Sequence, residues 1–178
     1  MLSDKVFYHG IIRKTIVGFG SLFSNIYLDR KEGDSVKGNT KQRIQVPISY
    51  APKEKWLTRL EEDPNLSKKT YNTTPRISFE IMSYAYDSTR KFNKLQKITC
   101  GAGEGQKTFM YAPVPYNIQI SLYVLTKTQE DGLQIIEQIL PTFTPDYTIS
   151  IKTIPEMNII QDIPIILNDI SVIDEYDG

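Results

Sequence analysis

The stretch that most constrains the fold of this chain is residues 115–152, because the spacing of its apolar side chains changes twice. From Tyr116 to Leu125 apolar and polar side chains alternate, which is the period of a β-strand with one apolar face. A stripe at helical spacing follows, made of Leu133, Ile136, Ile139 and Leu140. Alternation returns from Tyr147 to Lys152. The stretch therefore predicts a β-α-β unit at residues 116–153, with apolar faces that the rest of the chain must cover.

Local signals mark both ends of the predicted helix. Thr128 is a suitable N-cap, and Asp131 three positions later completes a capping box in which Asp replaces the usual Glu or Gln. Pro141 and Pro145 end the helix. If the two strands are parallel neighbours, the crossover is expected to be right-handed, with the helical stripe facing the sheet.

Length and composition limit the classes of protein to which the chain can belong. Its 178 residues fit one domain, residues 1–178, with a sizeable core. Apolar residues make up 40% and charged residues 24%, which excludes a disordered chain, and no run approaches the roughly 18 apolar residues of a membrane span. The first ten residues carry an early acid and predict no signal peptide. Cys100, the single cysteine, excludes an internal disulfide and fits synthesis in a reducing cytoplasm.

The remaining predicted helices and strands indicate an α+β fold class. One helix is predicted at residues 10–24, with Ile12, Ile16, Phe19 and Phe23 as its stripe, and another from Pro52 to Pro64. Further strands are predicted at 25–30, 43–50, 76–87, 91–99 and 162–173. Pro47 cannot donate to a ladder, which suggests an edge position or a bulge. We expect one twisted, mostly antiparallel (mixed) sheet flanked by two to three helices.

No catalytic, cofactor-binding or metal site is predicted. Gly101 to Thr108 resembles a phosphate-binding loop, but Gln106 replaces the required second glycine, and the two prolines that follow argue against a helix there. A nucleotide-binding enzyme that uses this loop is therefore only a remote alternative. His9, the only histidine, and Cys100 each lack the partners of a catalytic or metal set.

Charge is divided unevenly along a chain whose formal net charge is zero. Residues 1–110 hold 19 Lys or Arg against 11 Asp or Glu, a net charge of +8, and residues 111–178 hold 2 against 10, a net charge of −8. The two signs either neutralise each other within one fold or lie on different faces and guide contacts between copies or with partners. The candidate interface residues are Arg90, Lys91, Lys94 and Lys97 on the basic side and Asp169, Asp174, Glu175 and Asp177 on the acidic side. Four basic residues on a neutral chain are a weak nucleic-acid signal, and no specific nucleic acid is expected.

Several segments resemble, in order, a known family. They are FGSLFSNIYLDR (19–30), RIQVPISYAPKEKW (43–56), TPRISFEIMSYAYD (74–87), QISLYVLTKTQEDGLQIIEQILPTFTPDY (119–147) and DIPIILNDISVIDEYDG (162–178). The chain resembles the tail sheath stabiliser and completion proteins of T-even-like contractile-tailed phages over nearly its whole length. IIEQILPTFTP is the most specific block.

The resemblance implies a virion structural protein, made in the host cytoplasm, without a cofactor or enzymatic activity. It implies a homo-hexameric ring at the head-proximal end of the tail, whose partners are the tail sheath protein, the tail tube terminator and a neck or head completion protein. Members of the family continue past the position of DEYDG with a further strand and a C-terminal extension, whereas this sequence stops at Gly178, so contacts that depend on the extension are not assigned to these residues. A tube terminator or a neck connector ring is the alternative function.

Overall fold

The computed structural model describes residues 8–31, 40–52, 74–101, 107–154 and 157–173. The elements in chain order are α1 (Ile11–Leu22), β1 (Tyr27–Lys31), β2 (Thr40–Gln45), β3 (Ile48–Tyr50), β4 (Arg76–Tyr86), β5 (Lys97–Gly101), β6 (Lys107–Tyr111), β7 (Tyr116–Leu125), α2 (Gln129–Ile139), a 3-10 turn (Leu140–Thr142), β8 (Asp146–Ile154) and β9 (Ile159–Ile166). The predicted α+β class is confirmed.

The described strands form four separate sheets, so the prediction of one sheet is wrong. The orders are β1-β2, β3-β4-β7, β5-β6 and β8-β9. Only β3 and β4 are parallel, as expected for a mixed, mostly antiparallel protein.

Pro47 explains why the strand predicted at 43–50 is divided between two ladders. It lies between β2 and β3, where it cannot donate a hydrogen bond. The backbone N–H of Val46 donates to the carbonyl of Ile26 at 2.9 Å, while the carbonyl of Pro47 accepts from the N–H of Ile77 at 2.8 Å. The chain therefore leaves β1 and joins β4 at this proline.

The prediction of a β-α-β unit gives the correct order of the elements, but its two strands do not pair with each other. β7, α2 and β8 follow one another at 116–125, 129–139 and 146–154. However, β7 pairs antiparallel with β4, and β8 pairs antiparallel with β9. The right-handed crossover rule concerns parallel strands of one sheet and does not apply here. Alternation of side chains defines the face of a strand and leaves its partner open.

The N-cap of α2 is confirmed, whereas its predicted inward stripe is largely wrong. The Thr128 hydroxyl accepts from the Asp131 N–H at 3.4 Å. Ile135 is fully buried, while Leu133 and Leu140 are exposed. Ile139 contacts the core as predicted.

The face of α2 that contacts β1 is polar as well as apolar. A prediction of the inward face from apolar residues alone therefore selects the wrong side chains. The buried carboxylate of Asp131 accepts from Arg30 at 3.2 Å. Gln134 accepts from the Asp29 N–H at 3.3 Å, and Gln138 donates to the Tyr27 carbonyl at 2.8 Å. The two glutamines satisfy backbone groups of β1 and so fix the helix beside that strand.

Helix α1 covers the centre of the molecule with two aromatic side chains and two glycines. Phe19 and Phe23 are buried, whereas Ile12 at the other end of the predicted stripe is exposed. A Cβ at Gly18 would lie 3.2 Å from the Ile149 side chain, and one at Gly20 would lie 3.3 Å from the Phe79 ring. The glycines therefore allow close packing on β8 and β4. The buried core cluster is Phe19, Phe23, Ile26, Leu28, Val46, Ile77, Phe79 and Ile135.

Two strand predictions have the wrong bounds, and others cannot be tested. Residues 91–96 form no strand, and β5 begins at Lys97 and pairs with β6. The last strand is Ile159–Ile166, earlier than the predicted 162–173. Almost all of the helix predicted from Pro52 to Pro64 lies outside the described residues. In the part of the chain that is described, no helix has both the length and the apolar composition needed to cross a membrane.

Candidate interaction surface

The described residues between 82 and 116 form an exposed arm, which comprises the distal half of β4, strands β5 and β6 and the first residue of β7. We call residues 82–116 the arm. No described side chain in the arm is buried. Among the described elements, β5 and β6 make extensive contact only with each other. The arm is therefore an exposed surface beside the packed centre.

Asp87 organises the turn by which the arm leaves β4. Its Oδ1 accepts from the N–H and the hydroxyl of Thr89 at 2.9 and 2.6 Å, and its Oδ2 accepts from Arg90 Nε at 2.6 Å. The hydrogen bond from the Thr89 hydroxyl, followed by that from Arg90, lowers the pKa of Asp87 well below its ordinary value. Arg90 also donates to Asn117, so this turn is tied back to β7.

The β5–β6 hairpin presents a cationic and aromatic face. Its register pairs Lys97 with Tyr111 and Thr99 with Phe109, which places these four side chains on one face. The Lys97 ammonium lies 4.7 Å from the centroid of the Phe109 ring and 5.4 Å from that of Tyr111. Such contacts attract an ammonium group to the faces of the rings. More than half of the surface of each aromatic residue remains exposed, 54% for Phe109 and 58% for Tyr111.

The distal part of β4 and β7 adds a second aromatic surface to the arm. Tyr86 and Tyr116 pair across the strands with ring centroids 5.7 Å apart. Tyr84 lies two residues before Tyr86 on the same face and is exposed. The opposite face is polar, as shown by the hydrogen bond from Ser83 to Gln119 at 3.2 Å.

A second exposed surface lies at the other end of the chain, and we call residues 146–173 the C-terminal ribbon. In β8 and β9 the cross-strand pairs Asp146–Ile166, Ser150–Asp162 and Lys152–Ile160 share the outer face. The Ser150 hydroxyl donates to Asp162 at 2.5 Å. The exposed apolar side chains of the ribbon are Tyr147, Ile160, Ile166, Ile170, Val172 and Ile173.

The predicted interface residues that the structure describes fall on these two surfaces. Lys91 and Lys94 are exposed on the arm, whereas Arg90 is engaged by Asp87 and Lys97 lies on the aromatic rings. Asp169 is exposed in the C-terminal ribbon, and its carboxylate accepts from the Ile170 N–H at 2.8 Å. Asp174, Glu175 and Asp177 lie outside the described residues. No contact between the basic and the acidic candidates is seen within the described chain.

Sequence reasoning missed the aromatic face of the β5–β6 hairpin and the role of Asp87. Tyr84 and Tyr86 in β4, by contrast, already indicate a partly solvated face in the sequence. The Asp-Ser-Thr sequence directly after that strand is typical of a turn held by an Asp side chain.

Two kinds of site considered from the sequence, a metal centre and a phosphate-binding loop, can be compared with the described residues. No group of three His, Cys, Asp or Glu side chains in the described ranges could hold a metal ion. The glycine-rich loop joins β5 to β6, so a strand follows it in place of the helix N-terminus that a phosphate site requires. The prediction that no helix follows this loop is confirmed. His9 lines an open depression at the start of α1, together with Arg13 and Lys14.

Comparison with known proteins agrees with the resemblance seen in the sequence. Residues 6–178 match a family described as the T4-like virus Myoviridae tail sheath stabilisers. The tail completion protein gp15 of Enterobacteria phage T4 is 30% identical over 148 residues, which cover 79% of this chain and 52% of that protein. The chain thus spans about half the length of this curated relative.

Proposed function

Because this chain belongs to the family of T4-like virus Myoviridae tail sheath stabilisers, we propose that it completes a contractile phage tail at the end nearest the head. In this role it forms a homo-hexameric ring that holds the sheath, covers the tube terminator and offers a docking surface to a neck or head completion protein. The family match over residues 6–178 carries the proposal. The exposed arm and the C-terminal ribbon support it, because they offer extensive surface for protein partners.

Binding to isolated tails tests the proposal directly. Purified protein is mixed with tails that carry sheath and terminator, and rings are counted by negative-stain imaging and mass photometry. We expect a ring at one end of each tail. A protein that never binds such tails would refute the function, whereas a monomer in free solution would not, since a ring can close on the tail alone.

A pull-down separates this function from that of a tube terminator or a neck connector. The sheath-stabilising function requires contact with the sheath protein. Recovery of tube subunits alone would favour the terminator, and recovery of neck proteins alone would favour the connector.

Calorimetry with ATP and magnesium tests the remote nucleotide-binding alternative. We expect no heat of binding. A dissociation constant below about 100 μM, roughly −5.5 kcal/mol, that is lost in Lys107→Ala would contradict this expectation.

The division of charge supports contacts between neighbouring copies, and the dependence of ring formation on salt concentration tests this role. Exposed charges are screened beyond about 8 Å at physiological ionic strength, and single exposed pairs contribute about 0–1 kcal/mol. We expect reversal of Lys94 and Lys97 to Glu to weaken the ring, and reversal of Asp174 and Glu175 to Lys in the same chain to restore part of it. Sedimentation velocity at about 50 and 500 mM salt measures the effect, since the screening length falls as salt rises.

A further inference from the structure

The arm and the C-terminal ribbon have opposite charge as well as exposed apolar side chains. Residues 82–116 contain five Lys or Arg and two Asp or Glu, a net charge of +3. Residues 146–173 contain four Asp or Glu and one Lys, a net charge of −3. An interface core is typically aromatic and apolar, with charged groups at its rim. Each surface supplies one half of such an interface.

These two surfaces do not cover each other within one chain. Among the described elements, β5 and β6 contact extensively only each other, and β9 contacts extensively only β8. Phe109 and Tyr111 in the arm, and Ile160 and Ile166 in the ribbon, are all more than half exposed. The complementary surface for the arm is therefore available on a second copy of the chain.

We propose that the aromatic face of the β5–β6 hairpin, formed by Phe109 and Tyr111, binds the outer face of β8–β9 in the neighbouring copy around Ile160 and Ile166. Lys97, which lies over those two rings, then faces Asp162 of that neighbour, and Lys94 faces its Asp169. Each copy uses two different surfaces, so the contact is head-to-tail and closes into a ring under a suitable rotation. This inference rests on the proposed function and adds to it the identity of both contact surfaces.

Site-specific photocrosslinking tests the contact in the full chain. Benzoylphenylalanine is introduced at Phe109 in unlabelled protein, which is mixed with ¹⁵N-labelled wild-type protein both in free solution and on tails. We expect crosslinks that join the two isotopic forms and map to residues 146–173. The same probe at Tyr8, an exposed residue outside both surfaces, is expected to give no crosslinks to that segment of the labelled copy.

Other crosslinking results overturn the inference. A contact between copies would be contradicted if the crosslinks joined residues of one chain, or joined the chain to a sheath, tube or neck protein or to nucleic acid. It would also be contradicted if no crosslinked product formed either in solution or on tails. If such a result occurs while the protein still binds tails, the interface is wrong and the proposed function stands. If tail binding itself is absent, the proposed function fails.

Complementation between two variants tests the head-to-tail arrangement. The arm variant carries Phe109→Ser and Lys97→Glu, and the ribbon variant carries Ile166→Ser and Asp169→Lys. These side chains are exposed, so both variants are expected to fold, which circular dichroism verifies. Each variant alone is expected to occupy tails about tenfold less than wild type or worse. Lys127→Glu, a charge reversal at an exposed site outside both surfaces, is expected to retain wild-type occupancy.

A mixture of the arm variant and the ribbon variant tests whether the contact is head-to-tail. An intact ribbon on the arm variant can accept the intact arm of the ribbon variant, so we expect heterodimers by mass photometry of the crosslinked mixture, with no larger closed ring. Homodimers of either variant at the same level, or a mixture without heterodimers, would contradict the head-to-tail contact.

Discussion

The two halves of β4 differ in burial although they belong to one continuous strand. The first half, Arg76–Ile81, lies between β3 and β7. The centroid of its Phe79 ring lies 5.3 Å from that of the Phe19 ring in α1. Met82–Tyr86 pairs only with β7, and every side chain in it is exposed. A regular strand pattern therefore indicates the backbone conformation, while burial depends on what packs against each face.

A register shift marks the boundary between the two halves. It falls between Ile81 and Ser83, where β4 has one residue more than β7. Such a bulge turns the following side chains relative to the preceding ones and increases the local twist. The arm begins at this point, so the bulge separates a strand that packs in the core from one available for contacts.

Substitutions in the two halves of β4 are expected to have the largest difference in effect. Ile77 is fully buried, and Ile77→Ala should lower the free energy of unfolding by about 2–5 kcal/mol. Tyr84 is half exposed, and Tyr84→Ala should lower it by less than about 1 kcal/mol. Urea unfolding measures both values. Similar losses at the two positions would contradict the division of the strand.

Helix α2 offers a second comparison, between adjacent isoleucines. Ile135 is fully buried, whereas Ile136 is only half-buried. Ile135→Ala should lower the free energy of unfolding by about 2–5 kcal/mol, and Ile136→Ala by about 1 kcal/mol. Thermal unfolding of the two variants measures the order. A larger loss of unfolding free energy for Ile136→Ala would support the inward stripe that the sequence predicts.

The cap of α2 should contribute less, and its effect should be confined to stability. Thr128→Ala removes the acceptor for the Asp131 N–H and should lower the free energy of unfolding by about 1 kcal/mol. Thr128→Ser retains a hydroxyl and serves as the control. Since Thr128 lies outside the arm and the ribbon, occupancy of tails should stay unchanged in both variants. A fall in occupancy would extend the interaction surface to α2.

The smallest effect concerns the titration of the turn in the arm. Because the pKa of Asp87 is lowered, its carboxylate contacts should persist above the ordinary Asp pKa of about 3.9 and be lost only as pH falls further, through the lowered pKa. Carbon NMR of the Asp87 carboxyl should show no midpoint near pH 4. Thr89→Ala and Arg90→Ala should each raise the pKa of Asp87 towards its ordinary value, because each removes a hydrogen bond to the carboxylate. A wild-type midpoint near pH 4 would mean that the turn is not held as described.

Local chemistry in the sequence determined the elements whose signals are short in range. The alternation in β4, β7 and β8, the Thr128 cap and the helix at 10–24 each depend on residues within a few positions of one another. The same holds for the lack of a helix after the glycine-rich loop, since the two prolines there act locally. These features, like the family resemblance, could be stated before any coordinates.

Only the tertiary structure decided which strands pair and which faces are buried. Alternation is the same whether β7 lies beside β4 or beside β8, so the sequence alone could not reject the parallel unit. Ile135 is buried in place of Leu133 because Asp131 and the glutamines of α2 bind groups of β1, which are distant in the sequence. The arm is exposed because no other described element lies against it, and burial is a property of neighbours that a strand's own residues do not contain.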